Sequence, residues 1–133
     1  MTKPLVTFAD PEHAIIDYLT GKTAATVGSF FPKSSTDTPP SLPFLQVAWD
    51  GTPTVRYPIT QDPTVRLTWW DANPTPAKAG LALAQAHMLA HPGDANVWNV
   101  LPLTGGLPSR DPDTGLWLCT ATFRVSVRPT VVA

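Results

Sequence analysis

Apolar and polar residues alternate most regularly near the C-terminal end of the chain. The apolar set falls at every second position: Trp117, Cys119, Ala121, Phe123, Val125 and Val127. Side chains of a strand point alternately to its two faces, so this pattern predicts a half-buried strand. Pro129 is expected to end it.

Shorter alternating stretches predict further strands. Leu45, Val47 and Trp49 share one face of a strand over 44–49, which predicts that all three lie in the core. Pro63 precedes a second strand, over 64–70, in which Val65, Leu67 and Trp69 alternate with Arg66, Thr68 and Trp70. Shorter strands are expected over 26–31 and 97–101.

The dipeptide Asp50-Gly51 is the strongest hairpin signal in the chain. It predicts a return strand over 55–59. Pro58 lies within that stretch and cannot donate to a ladder, which favours a sheet edge or a broken strand there.

Two segments have helical patterns. Asp10 is a good N-cap for a helix that runs to Leu19, with Pro11 at its first position, and Gly21 follows as a stop. The second helix is expected over 76–90, capped by Thr75. It presents an apolar stripe at spacings of four, three and four residues: Ala77, Leu81, Ala84 and Met88.

Two stretches read as loops, at about 32–43 and about 102–115, because they are rich in proline, glycine and small polar residues. With 133 residues the chain is expected to form a single domain over 1–133. The order of elements predicts an α+β fold, with one twisted, mostly antiparallel sheet of four to six strands and two helices packed on it.

Charge is sparse and balanced, with 9 basic and 10 acidic side chains. A nucleic-acid-binding protein would usually have a basic excess or stripe, so we expect no recognition of nucleic-acid sequence. No apolar run approaches the ~20 residues of a membrane span, and residues 1–10 lack the pattern of a secretion signal. These features predict a cytoplasmic protein that does not enter a membrane.

Candidate chemistry is weak throughout the sequence. His87 and His91 have a spacing of four residues, which suits metal ligation on a helix, but neither a glutamate between them nor a third ligand nearby accompanies them. Cys119 lies on the apolar face of the last predicted strand, which favours a buried core thiol over a nucleophile. Asp111 and Asp113 imperfectly match the start of a calcium loop, and a turn is favoured. We therefore expect no enzyme activity, no metal and no cofactor.

The order of these features resembles that of the tail-terminator, or tail-completion, proteins of long-tailed bacteriophages, especially those of actinobacterial phages. The resemblance spans residues 9–129. It is carried by the Asp-capped first helix, the Pro43–Val47 strand, the Asp62–Trp70 strand, the Ala-rich helix from Ala77 and the final Val125–Pro129 segment.

The resemblance implies a structural virion protein that is assembled in the host cytoplasm. Subunits of this family form a ring, expected to be a hexamer, that caps the tail tube at its head-proximal end. The ring ends tube polymerisation and provides the head–tail joining surface. The implied partners are further copies of the chain, the tail tube protein and a head-closure or connector protein.

Contact residues for such a ring are expected in the two long loops, in the Asp50–Thr54 turn and on the edge strand with Pro58. Trp70 points to the face opposite Trp69: it is an interface anchor if that face is exposed there, and a loop or the first helix could equally cover it. The candidates are Pro39, Pro40, Asp50, Gly51, Tyr57, Trp70, Arg110, Asp111 and Asp113.

Three other functions remain open at the level of sequence. The chain could be a different neck protein, such as a head-closure or connector subunit, which is of similar size and also forms rings. A small hydrolase or ligand-binding domain would need a convergent polar cluster. A general interaction module would be a stable monomer or dimer without a ring.

Overall fold

A computed structural model describes residues 3–31 and 41–132. Two helices and nine strands occur in these ranges. In chain order they are β1 (Val6–Phe8), α1 (Pro11–Leu19), β2 (Thr26–Gly28), β3 (Phe44–Trp49), β4 (Thr54–Arg56), β5 (Thr60–Asp62), β6 (Thr64–Asp71), α2 (Pro74–Leu89), β7 (Val97–Arg110), β8 (Trp117–Val127) and β9 (Pro129–Val131).

The fold is α+β with a mostly antiparallel sheet, as predicted, but the main sheet has seven strands instead of four to six. Its centre is the antiparallel run β3–β6–β8–β7, and β2 pairs with β3 in parallel at one edge. The short strands β4 and β5 form a hairpin that joins β8 through the pair Gln61–Val127. Strands β1 and β9 pair separately as a two-stranded sheet.

Both helices pack on the same face of the main sheet. The core beneath them contains Ile15 and Leu19 of α1, Leu81 and Met88 of α2, and Phe123 of β8. The Tyr18 hydroxyl donates to the His87 carbonyl oxygen at 2.8 Å, which joins α1 to α2 as one layer. The predicted stripe of α2 is confirmed, because all four of its members are buried.

The two helix starts show how well N-cap residues can be predicted from the local sequence. Asp10 caps α1 as predicted, since its carboxylate accepts the backbone N–H groups of Glu12 and His13. Helix α2 begins at Pro74 with Asn73 at the N-cap, so the prediction of Thr75 as its cap was wrong. Proline at the first helical position costs no hydrogen bond, which lets the helix start earlier.

The prediction of a loop over 102–115 was wrong, because β7 continues through Arg110. Residues 101–110 are all exposed, so they lack the alternation of buried and exposed positions that indicates a half-buried strand. Backbone pairing with β8 forms this part of β7 despite Pro102 and Pro108, which the ladder places opposite Phe123 and Cys119. Proline is tolerated there because β7 pairs with no other described strand and forms an edge.

The prediction that the strand over 44–49 pairs with a return strand over 55–59 was wrong. β3 pairs with β6, and the segment between them forms the β4–β5 hairpin, which joins the sheet through β8. The prediction of a broken edge strand around Pro58 is confirmed, because residues 57–59 separate β4 from β5. The strand predicted over 26–31 is shorter than expected and ends at Gly28.

Of the tryptophans predicted in the core, Trp69 is buried, whereas Trp49 is 46% exposed. Trp49 is the last residue of β3, where the helix layer no longer covers the alternating face. Its indole Nε1–H donates to the Gly51 carbonyl oxygen at 3.1 Å and so finds a partner in the turn. Trp117 is partly buried and packs against the core.

Candidate interaction surfaces

The predicted contact residues fall at opposite ends of the main sheet. Asp50 and Gly51 lie beside the start of β6, where the Asp50 N–H donates to the Thr64 carbonyl oxygen. The turn after β7 lies beside the end of β6, because Asp71 pairs with Trp117. The structure therefore does not bring the candidates together in one site.

The turn at Asp50 and Gly51 is well defined. Gly51 has φ 97°, a left-handed conformation that glycine adopts without strain. Asp50 Oδ2 lies 3.5 Å from Arg66 Nε, and both side chains are more than a third exposed. This ion pair is at the surface and so adds little stability.

Tyr57 anchors the N-terminal segment instead of standing free. Its hydroxyl donates to the Pro4 carbonyl oxygen at 2.6 Å and accepts the Val6 N–H at 3.1 Å. Its ring meets Phe8 edge-on, and 42% of the residue remains exposed. Tyr57 is at the same end of the sheet as Asp50, since β5 follows it directly and pairs near the end of β8.

Trp70 is buried, with 5% exposure, so the exposure required of an interface anchor is missing. It lies on the face of the sheet opposite the helices, stacked on Phe31 with ring centroids 4.4 Å apart. Its Nε1–H donates to Gln46 Oε1 at 3.1 Å. Phe44 completes this small second cluster.

The turn between β7 and β8 is held by Asp111, which is 7% exposed. Its carboxylate accepts the Thr114 hydroxyl at 2.6 Å and the Thr114 N–H at 3.2 Å. Arg110 donates to the Gly115 carbonyl oxygen and lies over the Trp117 ring at 5.6 Å. Asp113 is exposed at the tip, so it and Arg110 remain accessible contact candidates, whereas Asp111 has a structural role.

Pro39 and Pro40 lie outside the described residues. The same holds for most of the predicted 32–43 loop.

The outward face of α2 is apolar, which the sequence reasoning missed. Leu83 and Leu89 are 49% and 47% exposed. The other exposed positions of α2 are the alanines Ala79, Ala82 and Ala86 and, near its N-terminus, Thr75, Pro76 and Lys78. Lys78 is the only Lys, Arg, Asp or Glu within α2, and that scarcity could have indicated the feature, because a helix that is apolar on all sides is usually buried.

The second surface is the face of the main sheet opposite the helices, which we call the open face. Leu101, Thr104 and Leu107 of β7 lie on it, because they pair with Arg124, Thr122 and Thr120 of β8. The Thr104 and Thr122 hydroxyls are 2.6 Å apart, which places these side chains on one face. Leu107 is 61% exposed.

Two arginines give the open face a positive charge. Arg66 pairs across the ladder with Thr122, and Arg124 pairs with Thr64, so the two are diagonal neighbours. Arg66 has Asp50 as its partner, but Arg124 forms no ion pair with a described residue and its Nε is buried without a hydrogen bond.

The histidine spacing does not form a metal site in the described residues. The His91 side chain is 1% exposed, and its Nδ1 accepts the Gly93 N–H at 2.9 Å. Its Nε2 is 3.6 Å from Asp94 Oδ2, and the Tyr18 ring lies 4.1 Å away. Burial lowers the pKa of His91, so the neutral imidazole is favoured.

Cys119 is 3% exposed, which confirms the prediction of a buried thiol. It borders a groove of about 380 Å³ between α2 and β7, which Lys78, Leu81 and Gly106 also line. Burial raises the pKa of the Cys119 thiol, so the unreactive protonated form prevails at neutral pH.

No protein-family model matches the chain, and no curated protein is similar enough to it to count as a relative. Neither described helix combines the length and the apolar character needed to cross a membrane.

Proposed function

We propose that this chain is a structural virion subunit, a tail-terminator protein that forms a ring on the phage tail tube. In this role it stops tube polymerisation and offers the surface on which the head joins. The observation that carries the proposal is the apolar outward face of α2. Helices whose outward face carries so few polar side chains are usually covered, so this surface calls for a partner.

A ring subunit also needs two different ends, one for the tube and one for the head. The Asp50–Gly51 turn with Tyr57 occupies one end of the sheet, and the turn with Arg110 and Asp113 occupies the other. Asp111 and Gly51 give both turns a defined shape, which suits surfaces that must present fixed contacts.

The proposal is tested by measuring mass by light scattering over a concentration series and imaging the most concentrated sample by negative stain. Rings, six-fold in the expected case, should appear. If the protein is a monomer at every concentration, it should then be mixed with purified tail tubes. Tubes whose tips stay uncapped and continue to polymerise would overturn the terminator function.

A second candidate is another neck protein, such as a head-closure or connector subunit. The same two-ended sheet would suit it. Immunogold labelling separates the two, because a terminator should mark isolated tails and a head-closure protein should mark isolated heads. A general interaction module remains the third candidate, and a monomer that binds neither tails nor heads would favour it.

A further inference from the structure

We propose that the helix layer of one copy packs on the open face of the next copy. This inference rests on the proposed ring and names the two surfaces through which its subunits would meet. The helix layer consists of α1 and α2 with their outward side chains. The contact is heterologous, because the two surfaces lie on opposite faces of one molecule.

The first argument is that each surface lacks a cover that the other can provide. The helices cover one face of the main sheet, and no described helix lies on the open face. Phe31 covers only the Trp70 end of this face, and a helix layer packed on a sheet is the ordinary two-layer arrangement of globular domains. In the assembly, each sheet would have its own helices on one face and those of its neighbour on the other.

The second argument is charge complementarity. Helix α1 contains Glu12 and Asp17, the latter 3.2 Å from His13, and neither lysine nor arginine, whereas α2 contributes Lys78 alone. The open face presents Arg66 and Arg124 and the buried Asp62 carboxylate, which the Ser126 hydroxyl binds, and Arg124 forms no ion pair with a described residue. Acidic α1 against a basic sheet would give Arg124 the partner it lacks.

The third argument is apolar complementarity. Leu83 and Leu89 of α2 are exposed on the helix layer, and Leu101 and Leu107 of β7 are exposed on the open face. Contact between these pairs would remove four large side chains from water. Exposed leucines of this kind are individually ordinary, but here two lie on each of the two surfaces.

The two surfaces also agree in size. Four adjacent strands at ~4.8 Å give a sheet about 19 Å wide, and the eight residues of β6 make it about 26 Å long. The sixteen residues of α2 extend about 24 Å, and two helices side by side cover about 20 Å. Phe31 covers the Trp70 end, so the uncovered part of β6 is its first six residues, about 20 Å, and the patch is roughly 380 Å², about half of the ~800 Å² that each partner buries in a standard interface.

A repeated heterologous contact closes into a ring when the rotation between copies divides a full turn. Both surfaces of every copy are then used. An isologous contact would instead pair copies through one surface and stop at a dimer. The two kinds of contact therefore predict different behaviour when variants are mixed.

The test uses Leu83→Asp on the helix layer and Leu107→Asp on the open face. Val131→Asp is the matched control, because Val131 is 72% exposed on β9 and belongs to neither surface. Masses are measured by light scattering and native mass spectrometry, alone and in equimolar mixtures. Circular dichroism checks the fold, and Ala86→Lys and Leu101→Asp replace any variant that fails to fold.

We expect each surface variant alone to be monomeric, with association weakened at least about tenfold, and the control to form rings. The equimolar mixture should give a 1:1 heterodimer and nothing larger. One intact helix layer can then meet one intact open face, and the remaining two surfaces are blocked.

Other outcomes overturn the proposal in distinguishable ways. Rings that persist in both variants would reject these surfaces while leaving the terminator function intact. Loss of association in only one variant would indicate an isologous contact or a different partner surface. If the wild-type chain forms rings only on tail tubes, the same variants are scored by tube capping. If it forms none there either, the proposed function fails, and this inference fails with it.

Discussion

At the residue scale, Trp70 is stabilised on the face of the sheet that carries no helix. Phe31 stacks on its ring, and Gln46 accepts its indole N–H. A large aromatic side chain on this face thus acquires both an apolar cover and a polar partner. The local sequence shows only that Trp70 points away from Trp69, so its burial had to come from the tertiary contact with Phe31.

We expect Trp70→Ala to lower the free energy of unfolding by about 3 kcal/mol, since it leaves a cavity between Phe31 and Phe44. Urea unfolding measures the change. Trp49→Ala is the control and should cost within about 1 kcal/mol, because Trp49 is 46% exposed. Equal losses in the two variants would contradict the burial described for Trp70.

His91 links stability to pH. Burial lowers the pKa of this imidazole in the folded state. As pH falls, the unfolded chain therefore binds a proton at a higher pH than the folded chain does. Its contribution to stability is therefore complete above its ordinary pKa of 6.5 and is lost as pH falls below that value. Protonation at Nδ1 would also remove the acceptor for the Gly93 N–H.

We expect the free energy of unfolding to fall between pH 7.5 and pH ~5.5 in the wild-type chain and to change less in His91→Gln. His13→Gln provides the control, because the His13 side chain is 74% exposed. A pH dependence that survives unchanged in His91→Gln would assign the effect to another group.

At the element scale, Gly80 sets how closely α2 approaches the sheet. A Cβ atom at this position would lie 2.1 Å from Trp69 Cε2, within the indole ring. The helix therefore rests directly on Trp69, and the buried stripe of α2 reaches the strands beneath it.

We expect Gly80→Ala to destabilise the protein by about 1 kcal/mol or more, although alanine favours a helix by ~1 kcal/mol. The overlap with Trp69 should outweigh that preference. Gly105→Ala is the comparison, since no atom lies within 4 Å of the Cβ it would add. Thermal unfolding of both variants measures the change in stability. A Gly80→Ala variant that is more stable than the wild-type chain would mean that Trp69 can move aside.

The sequence predicts those elements whose burial is periodic and whose ends are marked locally. Strand β8 alternates over its whole length, and Asp10 with Pro11 marks the start of α1. Strand β7 escapes prediction because its outer ten residues are exposed, so they lack any alternation of burial. The partner of β3 is equally hidden, because a turn signal at Gly51 does not reveal that β6 will displace the nearer segment.

At the scale of the whole molecule, the turns predicted as contacts lie at the two ends of the sheet, whereas the subunit contacts proposed above use its helix layer and its open face. The turns are visible in sequence as clusters of Asp, Gly and Pro. The open face is not visible, since it combines β6, β7 and β8 only through the strand order. The burial of Trp70 is hidden from the sequence for the same reason, because it depends on a contact with a residue far away in the chain.

We expect a variant with Pro102→Thr and Pro108→Thr to form high-mass aggregates that grow with concentration and bind thioflavin T. Each threonine restores an N–H group on the outer edge of β7, and a continuous edge can pair with further strands. Ser109→Thr serves as the control because it changes a neighbouring position without adding a donor. Light scattering should show no excess aggregation in the control, and a soluble double variant would contradict this role of the prolines.

The two prolines of β7 therefore bear on how the protein behaves at high concentration. An exposed strand of this length would ordinarily be a template for amyloid-like growth, and the hazard rises with the number of copies present. With two interruptions in its row of donors, the strand can keep Leu101 and Leu107 exposed without pairing with the strands of other copies. The same segment would then favour ordered assembly over precipitation.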